Sequence, residues 1–269
     1  MSSTDRKIAP CVTLITDFGL RDAYVGSMKG VMLSINRSLR LVDISHEIPA
    51  GDIRAAAFLL LNSYCYFPQD TVHLVVVDPG VGSKRKMLCV KSSGQYFVAP
   101  DNGCLSPMLQ KKNKNQIREI KNTAYFASKI SPTFHGRDIL APVAARLAKG
   151  KEKVFLKTGP LLKGFVTLSW PRPIATRRKL FGEVLWIDRF GNVITNIHQS
   201  DLMSYPGKPK RCRLGSKMVQ RWVQYYSKDH SGELIALINS MNHVEISLFM
   251  RSAAQYAGAK IGMRVALEW

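Results

Sequence analysis

"TVHLVVVDPGVGSKRK", residues Thr71 to Lys86, decides how the first half of this chain folds. Its opening residues are almost all apolar and rich in valine, a pattern typical of a strand buried on both faces of a parallel sheet. The apolar run stops at Asp78, and a proline, two glycines and several cations follow. The segment therefore predicts a central strand that leads directly into a carboxylate.

Two strand-and-helix pairs precede this strand. "CVTLIT" predicts a strand that ends before Asp17, and "YVGSMKGVMLSI" has apolar residues at helical spacing. "LRLVDIS" predicts a second strand, and "DIRAAAFLLLNSYCYF" predicts a helix that Asp52 caps and "FPQD" ends. This alternation of strands and helices predicts an α/β domain with a mostly parallel sheet.

The later part of the chain has a different character. "MLCVKSSGQYFVAP" predicts a hairpin and "GRDILAPVAARLAKG" a further helix, but "LSWPRPIATRRK" is rich in proline and arginine and has little periodicity. Short strand-like segments separated by turns follow, among them "GEVLWIDRFGNVITNI" and "HVEISLF". We predict an α/β domain over 1–165, a linker over 166–179 and a smaller all-β domain over 180–269.

Composition indicates a globular protein with a sizeable core, since 46% of its 269 residues are hydrophobic. No apolar run approaches the roughly 20 residues of a membrane-spanning helix, and "MSSTDRKIAP" lacks the apolar centre of a secretory signal. We therefore expect a cytoplasmic protein that does not act in a membrane. The five cysteines lack zinc-site spacing, which predicts neither disulfides nor a metal, and Cys65 and Cys89 are expected to fill the core.

The formal net charge of +20 favours a polyanionic partner. However, the cations are spread along the chain, and local clusters occur only at "KKNKNQIR", "RRK" and "KPKRCR", in segments that resemble loops or linkers. No zinc-finger or RNA-recognition signature accompanies them. We expect no specific nucleic acid partner, and a basic nucleic-acid binder remains an alternative.

Two carboxylates and two histidines are candidate functional residues. Ligands of open α/β sheets bind outside the carboxyl ends of the strands, where Asp17 and Asp78 are predicted to lie. Aspartate is also common as a helix cap and in turns, so a purely structural role is the alternative for either residue. His135, in "SPTFHGRDILAP", is a candidate acid or base, and His46, in "DISHEIP", has the next best claim.

The glycines after Asp78 do not form a nucleotide-binding loop. The segment is not GxxxxGKS/T, and Pro79 removes a backbone donor, so binding of a nucleoside triphosphate is not expected. Instead, Gly80 and Gly82 permit a tight reversal that brings Arg85 back towards Asp78. An arginine beside a carboxylate orients it and favours its ionised form.

Six segments, read in order, carry a family resemblance. They are "ITDFGLRDAYVGSMKGVM", "VDISHEIPAGDIRAAAFLL", "VVVDPGVGSKR", "APDNG", "TFHGRDILAP" and "IDRFGNVITNI". Together they resemble the S-adenosyl-L-methionine (SAM) hydroxide adenosyltransferases, or adenosine-forming SAM hydrolases, which are related to the SAM-dependent fluorinase and chlorinase. The resemblance covers nearly the whole chain.

The resemblance implies cleavage of SAM by water at the ribose C5′, which yields adenosine and L-methionine without a cofactor. It implies an α/β domain joined to a β-barrel-like domain, in a homotrimer that binds SAM between the first domain of one subunit and the second of its neighbour. The family's catalytic aspartate, arginine and histidine match Asp78, Arg85 and His135. The carboxylate that follows the central strand is thus predicted to position and activate water.

The resemblance also implies substrate-binding residues. Asp17 matches the carboxylate that holds the ribose diol, and Asp22 matches one that contacts the methionine ammonium group. The remaining matches are Phe134, beside the catalytic histidine; Asp188 and Asn192, for the methionine end and adenine; and Ser240, Glu245 and Leu248, the last acting through its backbone. This chain has Asn242 where the family usually has glycine.

Two other functions on the same fold compete with hydrolysis. Halide transfer is disfavoured because the halogenating relatives have tyrosine where this chain has Asp78, and a carboxylate repels a halide. A non-catalytic adenosine or SAM sensor would need the binding residues without the catalytic trio, and all three are present. The sequence leaves open whether Asp78 accepts the proton of water itself or the trio stabilises hydroxide.

Overall fold

A computed structural model describes residues 9–110, 115–228 and 231–269. The chain divides into two compact units, Met1–Ser169 and Trp170–Trp269, each with its own hydrophobic core. Their boundary falls within the predicted linker, 166–179. The prediction that the chain has no secretory signal was made from residues 1–10. Of these, residues 1–8 lie outside the part of the chain that the structure describes. None of the helices in the described ranges combines the length and the apolar character that a membrane span requires.

The first unit is built on a six-stranded sheet in the order β2-β1-β3-β5-β4-β6. Its strands are β1 (Cys11–Thr16), β2 (Arg40–Ser45), β3 (Val72–Val76), β4 (Met87–Ser92), β5 (Gln95–Pro100) and β6 (Gln116–Glu119). The pairs β1–β2, β1–β3 and β3–β5 are parallel, whereas β4 runs antiparallel to β5 and β6. The mostly parallel α/β fold is thus confirmed, and β3 is buried along its whole length as its valine-rich sequence predicts.

Helices pack on this sheet. They are α1 (Tyr24–Ile35), α2 (Ile53–Ser63), α3 (Ser106–Leu109) and α4 (Ala141–Phe155). One core cluster joins α1 and α4 to alternate residues of β1 and β3, while α2 packs against β1 and α3. Asp52 caps α2 as predicted, because its side chain accepts a hydrogen bond from the Ala55 amide at 2.9 Å. The predicted helix "GRDILAPVAARLAKG" begins with a π-helical segment, Gly136–Leu140, that leads into α4.

The second unit is a strongly curled β-sheet with two short helices. Its strands are β7 (Ile174–Ala175), β8 (Lys179–Ile187), β9 (Val193–His198), β10 (Arg211–Leu214), β11 (Lys217–Val219), β12 (Arg221–Trp222), β13 (Ile235–Ile238), β14 (His243–Ser247) and β15 (Arg264–Glu268). The helices are α5 (Gln199–Leu202) and α6 (Ala253–Ala257). The strand order is β11-β10-β15-β8-β9-β14-β13-β12. Because Gln220 alone separates the two edge strands β11 and β12 in the chain, the edges must lie close together, which confirms the barrel-like fold.

Two sequence predictions are wrong in detail. The basic clusters do not lie only in loops: Lys179 begins β8, Arg118 belongs to β6, and Arg211 and Arg213 belong to β10. In β10 the arginines alternate with buried residues, so the strand keeps one apolar face while the other is charged. Cys65 is exposed in a 3₁₀ turn after α2 and does not fill the core, although Cys89 does.

Candidate active site

A cleft of about 390 Å³ lies at the carboxyl ends of β1 and β3 in the first unit. It is lined by Asp17, Phe18, Ala50, Gly51, Val76, Asp78, Pro79, Val81, Thr133, Phe134, His135 and Gly136. Asp17 directly follows β1, and Asp78 lies two residues beyond β3. The structure thus brings four of the predicted site residues into one cleft, at the edge of the sheet where the sequence predicts a ligand.

Asp78 and Arg85 form a tight ion pair. Arg85 Nε lies 2.5 Å from Asp78 Oδ1 and 2.7 Å from Oδ2, and Arg85 Nη2 also donates to Oδ2. Both side chains are largely buried, with 9% of Arg85 and 6% of Asp78 exposed. Gly82 has a φ of 80° within the reversal. The predicted return of Arg85 towards Asp78 is therefore confirmed, and the guanidinium fixes the carboxylate plane.

The "APDNG" segment holds both ends of the loop that carries this pair. Asn102 Nδ2 donates to the Val77 carbonyl at 2.7 Å, next to Asp78, and the Asp101 amide donates to the Lys86 carbonyl at 2.9 Å. The loop is therefore closed at its base as well as across the ion pair. Reasoning from the sequence did not identify Asn102 as a positioning residue, although the segment was one of the six that carry the resemblance.

His135 approaches the Asp78–Arg85 ion pair from a second loop. Its Nδ1 lies 3.4 Å from Arg85 Nη2. The two loops touch, since a Cβ on Gly82 would lie 2.7 Å from the Pro132 carbonyl oxygen. Burial lowers the pKa of His135 from its usual value, the Arg85 charge lowers it further, and the carboxylates of Asp78 and Asp138 act in the opposite direction.

Asp138 shapes the loop that presents His135. It is 3% exposed, and its carboxylate accepts hydrogen bonds from the Ser131 amide at 2.8 Å and from Arg137 Nε at 2.7 Å. Burial raises the pKa of Asp138, but the bonds from Arg137 and Ser131 outweigh this and leave the pKa below its usual value. Sequence reasoning missed this residue. The π-helical segment that it belongs to begins directly after His135, and such segments frequently occur at functional sites.

Asp17 is held by the neighbouring loop. The Gly51 amide donates to Asp17 Oδ2 at 2.8 Å, and Gly51 has a φ of 71°. Buried His46 supports the same turn from behind, because its Nδ1 lies 2.8 Å from Thr16 Oγ1 and its carbonyl accepts from the Gly19 amide. His46 therefore lies outside the cleft lining, whereas Asp17 faces the cleft.

Aromatic rings form one wall of the cleft. Phe134 packs edge-on against Phe18 and Tyr24, with ring centroids 5.7 and 5.4 Å apart. Tyr24 is half exposed at the start of α1. Asp22 lies just before α1, exposed and outside the residues that line the cleft.

A second cavity, of about 670 Å³, lies in the second unit. It is lined by Asp188, Phe190, Asn192, Tyr226, Leu248, Phe249, Met250, Arg251 and Ser252. Asp188 organises the "IDRFGN" turn: its Oδ1 accepts from the amides of Phe190 and Asn192, and its Oδ2 accepts from Asn192 Nδ2 at 2.9 Å. Leu248 also lines the cavity, and its carbonyl accepts from the Arg251 amide at 3.1 Å.

Glu245 lies beneath this cavity rather than on its surface. It is 2% exposed and accepts hydrogen bonds from Tyr226, Asn239 and Ser247. Burial, together with the hydrogen bond to Glu245, raises the pKa of Tyr226 well above its usual value. Tyr226 is a lining residue that sequence reasoning missed. Ser240 is exposed and does not line the cavity.

The structure explains why Asn242 can occupy the position where the resembled family usually has glycine. Its φ is 61°, in the left-handed region that favours glycine. Asparagine is among the residues that best tolerate this conformation, so the turn between β13 and β14 keeps its shape without glycine. Among the described residues, no group of three or more His, Cys, Asp or Glu side chains is arranged to hold a metal ion.

Comparison with known proteins places both units in one family. Residues 12–155 match the SAM hydroxide adenosyltransferase N-terminal domain, and residues 182–266 match the C-terminal domain of the same family. A protein named (R)-S-adenosyl-L-methionine hydrolase from Methanocaldococcus jannaschii is 36% identical over 259 residues, which cover 92% of each chain. A protein named fluorinase from Actinopolyspora mzabensis is 27% identical over 228 residues, 75% of this chain and 76% of its own.

A solved structure agrees with this assignment. The crystal structure of an uncharacterized conserved protein from Thermotoga maritima superposes with a TM-score of 0.90 at 36% identity, over 96% of this chain and 100% of that one. The family matches cover most of both compact units, and the hydrolase is more similar to this chain than the fluorinase is. The chain belongs to the SAM hydroxide adenosyltransferase family.

Proposed function

We propose that this protein is a SAM hydrolase, which cleaves SAM at the ribose C5′ with water and yields adenosine and L-methionine. The observation that carries the proposal is the Asp78–Arg85 ion pair, with His135 beside it, at the base of the cleft. The hydrolase name of a relative that is 36% identical over most of the chain supports the same reaction. No cofactor is required, since the sulfonium of SAM is already activated for departure.

The step that needs catalysis is the attack of the nucleophile, water. The leaving group is a neutral thioether, so its departure needs no acid. Water must instead be aligned opposite sulfur and lose a proton as it attacks C5′. Alignment of reacting groups supplies up to roughly 7 to 11 kcal/mol, and a general base typically contributes about 10²- to 10⁴-fold in rate.

Asp78 is suited to accept this proton because Arg85 fixes its orientation. Arg85 also has a spare donor: its Nη1 is buried and has no hydrogen-bond partner among the described residues. A buried unpaired donor is costly, and we propose that this one donates to an oxygen bound beside Asp78. An arginine donor beside the attacking oxygen equally suits the second variant of the mechanism, in which Asp78, Arg85 and His135 together stabilise hydroxide.

Substrate contacts are proposed for both units. In the first, Asp17 holds the ribose diol, Asp22 contacts the methionine ammonium group, and Phe134 supplies an apolar wall. In the second, the contacts are proposed for Asp188, Asn192, Ser240 and Leu248. Glu245 lies too deep for direct contact, so we assign its effect to Tyr226, which it holds at the cavity surface.

Assembly and location are also proposals. We infer a cytoplasmic homotrimer in which the first unit of one subunit and the second unit of its neighbour share each SAM molecule. The family resemblance motivates this inference, and the presence of a separate cavity in each unit is consistent with it.

Halide transfer is the second candidate function, because a fluorinase is among the relatives. Asp78 argues against it, since an anionic carboxylate within the cleft repels a halide. A SAM or adenosine sensor would not need the tight Asp78–Arg85 pair.

Turnover of SAM in ¹⁸O-water tests the proposal. Hydrolysis places the label in the 5′-hydroxyl of adenosine, and mass spectrometry measures it. Unlabelled adenosine, or 5′-chloro-5′-deoxyadenosine as the main product in chloride buffer, would contradict hydrolysis. Adenosine binding without turnover would identify a sensor.

A further inference from the structure

The outer side of β10, β15 and β8 forms a surface whose residues line neither of the two cavities described above. Inward residues of these strands are buried, and the register aligns the outward ones in rows. The first row contains Arg211, Glu268 and Lys179. The second contains Arg213, Ala266 and Phe181 and is continued by Ile174 of β7. The third contains Arg264 and Glu183. We call these residues the outer face.

The outer face carries more cations than carboxylates: Lys179, Arg211, Arg213 and Arg264 against Glu183 and Glu268. Two of the basic clusters in the sequence converge on it, because "RRK" contributes Lys179 and "KPKRCR" contributes Arg211 and Arg213. In the described part of the chain, Arg211, Arg213 and Arg264 form no ion pair, whereas Glu268 is bound by Lys179 at 2.9 Å. The hydrogen bond from Lys179 lowers the pKa of Glu268, and the charges of Arg211 and Arg213 lower it further, as expected for a positive local potential.

The centre of the face carries a flat cationic stack. The Arg264 guanidinium lies over the Phe181 ring, with Cζ 4.2 Å from the ring centroid. With Arg213, these two residues line a depression of about 440 Å³. They also line an adjoining depression of about 210 Å³ that includes Arg172. Planar groups flanked by cations are the combination that binds single strands, since bases stack on them and phosphates pair with the cations.

We propose that the outer face binds single-stranded nucleic acid without sequence preference. Arg211 and Arg213 contact phosphates, and a base stacks on Arg264 where Phe181 supports it. Sequence-independent binding agrees with the absence of a recognition motif in the sequence. An anionic membrane or an acidic protein would satisfy the charges but would leave the planar stack without a matching group, so we favour nucleic acid. The proposal does not depend on SAM hydrolysis.

Fluorescence anisotropy of the full chain with labelled oligothymidylate of about 16 nucleotides tests the charge component. Each phosphate contact on a single strand contributes about 0.7 to the slope of log affinity against log salt. Arg211→Ala with Arg213→Ala should lower that slope by about 1.4 and weaken binding on the order of 10-fold at low salt. Lys149→Ala with Lys153→Ala removes the same charge from exposed positions on α4 and should change neither quantity.

Charge-conserving variants test the stacking component. Arg264→Lys and Phe181→Leu should each weaken binding at least about 5-fold with an unchanged salt slope, because stacking is lost while charge is kept. Circular dichroism verifies folding of every variant. The proposal is overturned if the oligonucleotide does not bind at low salt or if the α4 control loses as much affinity. It is also overturned if polyphosphate displaces the labelled oligonucleotide as well as an unlabelled oligonucleotide of the same total charge does. Binding of phosphatidylglycerol vesicles without binding of the oligonucleotide would overturn it too.

Discussion

Arg85 Nη2 lies 3.4 Å from His135 Nδ1, although the two residues are 50 positions apart in the chain. A guanidinium only donates hydrogen bonds. In this contact Nδ1 must therefore act as the acceptor, which leaves the proton of the neutral imidazole on Nε2. The geometry thus selects one tautomer of His135 and opposes its protonation, because a charged imidazolium would face a permanent cation.

The first prediction concerns the charge of His135. Its pKa should lie below the usual 6.5, so the neutral form persists as the pH falls past 6.5 and is lost only at the depressed pKa. If activity needs neutral His135, the acid limb of the pH–activity profile should follow the lowered pKa of His135. NMR titration measures the pKa, and the spectrum of His135→Gln identifies the resonance.

Two substitutions should shift this pKa in opposite directions. Arg85→Gln removes a neighbouring positive charge and should raise the pKa of His135, whereas Asp78→Asn removes a negative charge and should lower it. A parent pKa above 6.5, or shifts of the reverse sign, would contradict the arrangement.

The second prediction concerns the Arg85 fork. Arg85→Lys keeps the charge but cannot reproduce a two-nitrogen contact with Asp78. We expect kcat to fall by about 10²-fold or more, as for loss of a general base, while calorimetry shows nearly unchanged adenosine binding. Lys84→Ala, at the exposed neighbouring position, is the matched control and should retain parent kinetics. Near-normal kcat in Arg85→Lys would mean that charge alone suffices.

The third prediction separates two glycines of the same loop. At Gly82, φ is 80° and a Cβ would lie 2.7 Å from the Pro132 carbonyl oxygen, so Gly82→Ala must strain the backbone or part the two loops. We expect it to lose about 1 to 2 kcal/mol of stability and to lower kcat. Gly80→Ala should be tolerated, because its Cβ would lie no closer than 3.4 Å to any neighbouring atom, an ordinary van der Waals distance. Denaturant unfolding and steady-state kinetics compare the two, and equal effects would contradict the strain argument.

Local patterns explain which parts of the fold could be predicted from sequence. The apolar run of β3 and the Asp52 cap each depend on a few adjacent residues, and the structure confirms both. The return of Arg85 to Asp78 was also predictable, since only a short glycine-containing reversal separates them. By contrast, β10 was missed because its exposed arginines resemble a charged loop when the burial of the residues between them is not known.

Contacts between distant segments explain what sequence could not reveal in the site. Asn102 reaches the Val77 carbonyl from 25 residues away, and Tyr226 reaches Glu245 across 19. Neither contact leaves a periodic or local signature. The depth of Glu245 beneath the cavity likewise depends on how β14 packs in the sheet. Family resemblance can mark such residues as important, but whether they touch a ligand or support one that does follows only from the fold.

The fourth prediction concerns binding by Asp17. Asp17→Asn retains an oxygen for the Gly51 amide but loses the charge that would strengthen bonds to the ribose diol. A hydrogen bond to a charged group is worth roughly 1.5 to 3 kcal/mol. Adenosine affinity should fall accordingly while kcat changes much less, because these bonds differ little between ground and transition states. Glu47→Gln, an exposed carboxylate near the same turn, is the control for calorimetry. A large fall in kcat with unchanged affinity would contradict a binding role.

The last prediction tests whether neighbouring subunits share each site. Asp78 belongs to the first unit and Asn192 to the second, so Asp78→Ala and Asn192→Ala should each inactivate a homotrimer whose sites combine the two units from adjacent chains. In any mixed ring, one of the three junctions joins an intact first unit to an intact second unit. Random exchange of equal amounts should therefore restore roughly a quarter of the parent activity. Asp78→Ala mixed with His135→Ala is the matched control, and it should restore nothing because both changes lie in the first unit. Native mass spectrometry verifies subunit exchange, and no recovery in the first mixture despite exchange would mean that each site is built from one chain.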